Sequence, residues 1–380
     1  MEKYDLNVSN LTALSADNTK ANFGGEERAG ENNVFFRLRQ QNERLIGVGC
    51  VCHVLHNAAK KATDNLRIEG RAMDIEAVIF KMAGHFKNST KRIEELKGFC
   101  EELEVEFERL NRHGPTRWTS MNSVLGKIIR MESVLIAYFS KPDKCPALLY
   151  DFFFVFSEQS FAIIHFLHHV LGLFNKTIDF FQKEKAILPE LLLEMDKFRA
   201  KIEQRKQERF YGADLAMEKV GESTREVLEE QFQSFYTSVL AYLDKWHRID
   251  RFPEKLEWVA LVSRKIPHDD ALSLARQIAP ELTNDLFDDK WKKLFEANLP
   301  NLLKLVSIVL SVPVSNAFVE RVFSLCGSQW TDTRNLLQVE TVKALVQTKA
   351  NFDLSCPQMY QMLISNHKLL EKIGGWEKYF

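Results

Sequence analysis

The chain is poor in proline, and its cysteines do not show the regular spacing of a disulfide framework. It has 10 Pro among 380 residues, against 28 Phe. Such a composition favours a mostly helical chain with a large aromatic core, because proline interrupts helices and buried aromatic rings dominate core energetics. The six cysteines lie far apart or in one close pair, which excludes a disulfide framework, and no signal peptide opens the sequence. A reducing compartment, cytosol or nucleus, is therefore expected.

The chain also lacks a strong net charge and a long hydrophobic run. Its formal net charge is −1 at pH 7, so any nucleic-acid binding would need a local basic patch. The longest apolar run, residues 161–174, contains His165, His168 and His169. It is too short and too polar to cross a bilayer, and no membrane partner is expected.

Strand and helix patterns alternate only at the start of the chain. Residues 10–16 and 45–48 predict strands, and residues 34–41 and 50–62 predict helices. This order is typical of part of an α/β sheet. Beyond it, apolar residues at helical spacing predict a long helical region. The predicted helices cover residues 71–86, 91–110, 120–138, 157–181, 188–209, 224–246, 269–278, 302–310, 315–325, 338–350 and 357–373.

Asp17 directly follows the first predicted strand. A carboxylate there lies at the carboxyl end of the strand, where α/β sheets bind ligands. Taken locally, the alternative is an aspartate that caps a turn with Asn18.

Cys50 and His53 form a Cys-x-x-His pair at the start of a predicted helix. Zinc is one interpretation, but a structural zinc site needs four ligands and no second pair lies at usable spacing. A buried, hydrogen-bonded histidine is another.

Two further segments carry residues of interest. Arg117 and Trp118 follow the helix-breaking stretch 113–115, where Trp118 can also serve as a simple core anchor. The basic residues of the stretch 197–209 could contact phosphates, although an exposed helix face with ion pairs is favoured.

The stretch 313–324 places one carboxylate, Glu320, in an apolar helix. Ser315 is positioned to cap that helix after Pro313. Helical spacing predicts that most of this segment is buried, so Glu320 needs a partner, a metal ion or a water-filled cleft. The alternative is a core helix in which Glu320 pairs with an arginine.

Two apolar stripes flank this stretch and predict a self-association surface. The first precedes Pro313 and the second lies in the helix predicted after Thr333. Their residues are Leu302, Leu305, Val306, Val309, Val339, Val342, Leu345 and Val346.

The segment around Glu320 resembles the Ser-Glu-Arg-x-Phe-Ser signature near the C-terminus of hAT-superfamily DNA transposases. The resemblance implies that Glu320 is the last acidic ligand of a two-metal site on an RNase H-like fold. It implies that Asp17 is the second catalytic aspartate. It also implies that Cys50, His53, Arg117 and Trp118 lie near bound DNA, and that the apolar stripes form the hAT C-terminal dimerisation region.

The same resemblance predicts the organisation of the chain. Residues 1–70 would be a partial RNase H-like α/β segment, and residues 71–295 a helical insertion that splits the catalytic fold. Residues 296–352 would hold the last catalytic-fold helices and the dimerisation region, with a helical extension at 353–380. The expected fold class is mostly α with a partial α/β core.

Two family features are missing, and they determine the predicted function. Only 16 residues precede Asp17, too few for three strands and their turns, so we expect this sequence to lack the first catalytic aspartate. It is also expected to lack the family's BED-type zinc finger. We therefore expect a truncated or domesticated protein that dimerises with itself or with related hAT-derived chains, is catalytically inactive and binds no cofactor.

Two alternatives remain open. One is an active Mg²⁺-dependent transposase or nuclease whose first aspartate comes from an absent N-terminal region; Asp17 and Glu320 would then bind Mg²⁺. The other is a DNA-binding regulator. The resemblance implies a nuclear location for each of the three.

Overall fold

The computed structural model describes most of the chain in two compact units, residues 1–316 and 317–380. The predicted domain boundaries after residues 70, 295 and 352 stay predictions. The described residues are 7–25, 30–68, 71–72, 74–87, 89–110, 118–140, 145–182, 188–247, 249–250, 307–308, 310–334, 336–351 and 355–366.

A small sheet opens the first unit. Strand β1 (Ala13–Ala16) runs parallel to β2 (Ile46–Gly49), with Ala13 opposite Ile46. Both strands were predicted. All four residues of β2 are buried, and Gly47 is essential there because a Cβ atom would lie 2.7 Å from the Phe35 ring.

Three shorter strands were not predicted. Strand β5 (Ile249–Asp250) pairs antiparallel with β2, and β3 (Arg67–Ile68) pairs with β4 (Arg71–Ala72) in a separate ribbon. Each has two residues, too short for an alternating pattern to be seen. Residues 71–72 were expected to begin a helix, and that prediction was wrong.

The rest of the first unit is helical, as the proline-poor composition indicated. Its α-helices are α1 (Lys20–Phe23), α2 (Val34–Gln41), α3 (Val51–Thr63), α4 (Ile75–Lys87), α5 (Thr90–Glu102), α6 (Met121–Arg130), α7 (Glu132–Phe139), α8 (Ala147–Tyr150), α9 (Ser157–Phe181), α10 (Leu188–Gln207), α11 (Asp214–Met217) and α12 (Glu222–Trp246). A π-helical turn, Asp151–Val155, joins α8 to α9.

A main hydrophobic core holds most of this unit together, and Ala16, Phe23, Phe35 and Leu45 form a second, smaller cluster. Helix α3 packs against both α9 and α12, so the sheet segment and the helical region share the same core. Aromatic rings fill much of it; Phe166 stacks on Phe232 with ring centroids 4.0 Å apart. The large aromatic core expected from the composition is therefore confirmed.

Two predicted helices are shorter than expected. The helix predicted over 91–110 ends at Glu102, because Glu104 adopts a left-handed backbone conformation with φ of 53°. The helix predicted over 120–138 is broken at Met131, which separates α6 from α7.

The second unit contains α13 (Ala317–Gln329), α14 (Val339–Asn351) and α15 (Cys356–Ser365). Helices α13 and α14 pack against each other. The predicted helix at 269–278 and most of the one at 302–310 lie outside the described residues.

No single described helix is long and apolar enough to cross a membrane. The segments Ala147–Val155 and Ser157–Phe181 reach the length and composition only together, and they meet at a bend of 93°.

Candidate functional site

Asp17 and Cys50 lie at the same edge of the sheet. Asp17 follows β1 and Cys50 follows β2, and the carboxyl ends of parallel strands meet at one edge. The Asn18 side chain lies against Gly49, the last residue of β2: a Cβ atom on Gly49 would lie 2.6 Å from Asn18 Oδ1. The Asn18 amide also donates to the Trp246 carbonyl at the end of α12, at 3.3 Å.

The Asp17 carboxylate is held by its own turn. Its Oδ1 atom accepts hydrogen bonds from Thr19 Oγ1 at 2.8 Å and from Asn22 Nδ2 at 2.6 Å. Partial burial raises the pKa of Asp17, but these hydrogen bonds and the nearby His53 outweigh it, so the pKa is lowered overall. The carboxylate is therefore ionised at neutral pH and stabilises the start of α1.

Cys50 begins helix α3 and is almost fully buried. A hydrogen bond with Cys52 is the main cause of a pKa well below the usual range for its thiol; burial opposes this effect and His53 adds to it. The Asn316 backbone N–H also donates to Cys50 Sγ, at 3.4 Å. The structure thus brings Cys50 and His53 together, as their spacing predicted.

A second histidine on α3, His56, contacts Thr119, and sequence reasoning did not predict this contact. His56 is buried, and its Nδ1 atom lies 3.0 Å from Thr119 Oγ1 and 3.3 Å from Thr119 N. The Thr119 carbonyl accepts a hydrogen bond from Asn175 on α9, at 3.1 Å. A polar residue on the apolar face of α3 was the available signal.

Neighbouring Arg117 lies outside the described residues. Trp118 begins a short 3₁₀ turn, Trp118–Ser120, whose last two residues lead into α6. The predicted contact of Arg117 and Trp118 with nucleic acid stays a prediction.

Ser315 and Asn316 end the first unit. The Ser315 hydroxyl donates to the Phe181 carbonyl at the end of α9, at 2.9 Å. Sequence reasoning assigned Ser315 only as a helix cap and missed this contact with α9.

Glu320 lies in the first turn of α13, in the second unit. The predicted burial of its neighbours was wrong: Phe318 is 51% exposed and Phe323 is 67% exposed. The reason is that α13 has one helix, α14, packed against it, so much of its apolar surface has no cover among the described residues of that unit.

The predicted dimerisation residues divide into buried and exposed positions. Val342 and Val346 are buried, Leu345 is half-buried and Val339 is 63% exposed. Leu302, Leu305, Val306 and Val309 lie outside the described residues.

No three His, Cys, Asp or Glu side chains in the described ranges are grouped as a metal site. Asp17 and Glu320 belong to different units, so the Mg²⁺ site implied for this pair stays a prediction.

Comparison with known protein families assigns the C-terminal part of the chain. The model of the hAT family C-terminal dimerisation region matches residues 286–352. This range contains the signature around Glu320 and the two apolar stripes identified in the sequence. Residues 286–352 are therefore similar to the hAT C-terminal dimerisation region.

Proposed function

We propose that this chain is a transposase-derived interaction protein that dimerises through its second unit and does not itself cut DNA. Its partner is a second copy of the chain or a related hAT-derived protein.

The apolar surface of the second unit is the observation that carries this proposal. Among the described aromatic side chains of this unit Phe323 is the most exposed, at 67%, and Leu336 is 95% exposed. Soluble proteins seldom leave many large apolar side chains exposed on a small unit unless they form an interface. The others exposed on this unit are Phe318, Val319, Trp330, Val339, Tyr360 and Ile364.

The arrangement at the sheet edge supports a structural role for Asp17. One of its carboxylate oxygens already accepts hydrogen bonds from Thr19 and Asn22. A two-metal mechanism needs carboxylate oxygens free to bind cations about 4 Å apart. The parallel β1–β2 pair followed by α3 is what a partial RNase H-like core would contain, and we assign it so within this proposal. No cofactor is needed, and the family resemblance supports a nuclear location.

Sedimentation velocity of the full chain at micromolar concentration tests the dimer. We expect a dimer for the wild type and a monomer for Phe323→Glu, because an unpaired charge in an apolar interface costs several kcal/mol. Leu215→Glu is the matched control, since Leu215 is 76% exposed on α11 of the first unit. A monomeric wild type, or an Phe323→Glu variant that remains dimeric, would contradict the proposal.

A cleavage assay tests the catalytic part. Purified protein with Mg²⁺ or Mn²⁺ should leave a DNA hairpin and a transposon-end duplex intact. Cleavage that is abolished by Glu320→Gln would establish the alternative, an active metal-dependent transposase or nuclease.

A further inference from the structure

A basic groove lies between α9 and α10 in the first unit. Helix α9 contributes four residues at positions i, i+3, i+4 and i+7, and α10 contributes three at i, i+3 and i+4; each set shares one helical face. The groove is open and has a volume of about 510 Å³, within the range of small-molecule sites. Its lining residues are His169, Gly172, Leu173 and Lys176 from α9, Lys201, Gln204 and Arg205 from α10, and Glu208 and Phe210 just after α10.

The two helices that line the groove pack against each other. Phe174 on α9 and Phe198 on α10 are buried and meet edge to face, with ring centroids 4.8 Å apart. At one end, Gly212 has φ of 66°, and a Cβ atom there would lie 2.2 Å from the His169 ring. The histidine therefore packs directly on backbone, and its ring meets the Phe210 ring edge to face at 5.3 Å.

Three cations line the groove against one carboxylate. Lys176, Lys201 and Arg205 form no ion pair with the described residues, and Nη1 of Arg205 is buried without a hydrogen-bond acceptor there. Glu208 is the opposing carboxylate, and it accepts a hydrogen bond from Gln204 at 2.9 Å. Three other basic residues of the stretch are paired instead: Lys197 with Glu194, Arg199 with Asp244 and Arg209 with Glu229.

His169 adds no fixed charge to this set. Burial, with the neighbouring Arg205 and His168, lowers its pKa, although Asp214 acts in the opposite direction. The imidazole is therefore neutral at pH 7, and the groove keeps an excess of positive charge from its lysines and arginine.

An exposed aromatic ring completes the groove. Phe210 is 40% exposed, and the Arg205 guanidinium lies 5.6 Å from its ring centroid. The Phe210 backbone is fixed, because its carbonyl accepts a hydrogen bond from the Tyr236 hydroxyl at 2.7 Å. Cations that contact phosphates, beside an aromatic ring on which a base can stack, are the combination that single-stranded nucleic-acid sites use.

We propose that the α9–α10 groove binds a nucleotide unit, with its phosphate at Lys176, Lys201 and Arg205 and its base on Phe210. The unit comes from a single-stranded nucleic acid or from a free nucleotide, and the same chemistry recognises both. This site shares no residue with the sheet edge or with the dimerisation region.

Fluorescence anisotropy on the full chain tests this proposal with a labelled 15-nucleotide oligothymidine and with labelled ATP. We expect Lys176→Glu/Lys201→Glu to weaken binding at least tenfold and to flatten its salt dependence, because two phosphate contacts are lost. Lys61→Glu/Lys97→Glu is the matched control: it makes the same change in net charge on exposed lysines of α3 and α5. Equal binding by the two double variants would overturn the proposal.

Phe210→Ala tests the aromatic part. Loss of base stacking should weaken binding about tenfold, while inorganic pyrophosphate should compete much less well than ATP. If pyrophosphate competes as well as ATP and Phe210→Ala binds normally, the nucleotide assignment is wrong.

Binding of the oligonucleotide alone identifies a strand as the source, and binding of ATP alone identifies the free nucleotide. Phe323→Glu should bind normally, so failure here is distinguishable from failure of the dimer proposal.

Discussion

The two units of this protein handle their apolar side chains in opposite ways. In the first unit the largest buried side chains are aromatic, and they include Phe166 and Phe232 in direct stacking. In the second, Phe318 and Phe323 lie mainly in solvent, and the buried apolar residues of the described part are Val342 and Val346. The first unit therefore has a large core of its own, whereas the second leaves large apolar side chains exposed among its described residues.

The largest expected effect compares one phenylalanine from each unit. Phe232→Ala should lower the free energy of unfolding by about 3–5 kcal/mol, because it leaves a cavity beside Phe166. Phe323→Ala should change the stability of the monomer by less than about 0.5 kcal/mol. Urea denaturation of dilute protein measures both values, and similar losses for the two variants would remove the contrast between the units.

A second comparison lies within helix α14. Val342→Glu places a charge in the small core of the second unit and should cost about 3 kcal/mol or more. Val339→Glu, on the exposed side of the same helix, should leave that unit folded and weaken the dimer instead. Hydrogen exchange of residues 317–366 reports folding, and sedimentation reports assembly. If Val342→Glu leaves exchange protection unchanged, Val342 is not part of that core.

The sequence predicted the elements whose local pattern agrees with their packing. Helix α9 begins and ends where its apolar pattern does, because it passes through the core and most of its faces are covered. Helix α5 was overextended, since its periodicity continues through Phe107 and Leu110 while Glu104 turns the backbone. Periodicity records which side chains face the core and does not show where the chain leaves the helix.

The candidate sites show the same limit. The strand-end positions of Asp17 and Cys50 followed from the parallel-sheet rule, so their shared edge was predictable. The exposure of Phe318 and Phe323 was not, because an apolar helical face looks the same whether its own chain or a partner covers it. The basic groove depends on the approach of α9 to α10, a long-range contact absent from either local sequence.

The stability of the first unit should depend on pH through His247. Burial, with nearby Arg199, lowers the pKa of His247 to about 4. The unfolded chain therefore binds a proton that the folded first unit excludes, so stability should fall as the pH drops from about 6.5 to 4. The expected loss is up to about 3 kcal/mol. Denaturation across this pH range should show a shallower slope for His247→Gln; an unchanged slope would mean that His247 titrates normally.

The smallest effect is expected at Glu320, in the second unit. Its carboxylate lies in the first turn of α13, where the helix dipole favours a negative charge by about 0.3–1 kcal/mol. Glu320 is half-buried, and Glu320→Gln keeps the shape of the side chain while removing its charge. Thermal unfolding should shift by no more than a few degrees. A comparable change in the first turn of α14, Glu340→Gln, should give a similar shift, because Glu340 is exposed and pairs with Lys343 at 3.2 Å. A much larger loss for Glu320→Gln than for Glu340→Gln would show that the carboxylate at 320 is held in a structural ion pair. The second unit would then depend on a polar contact as well as on its apolar surface.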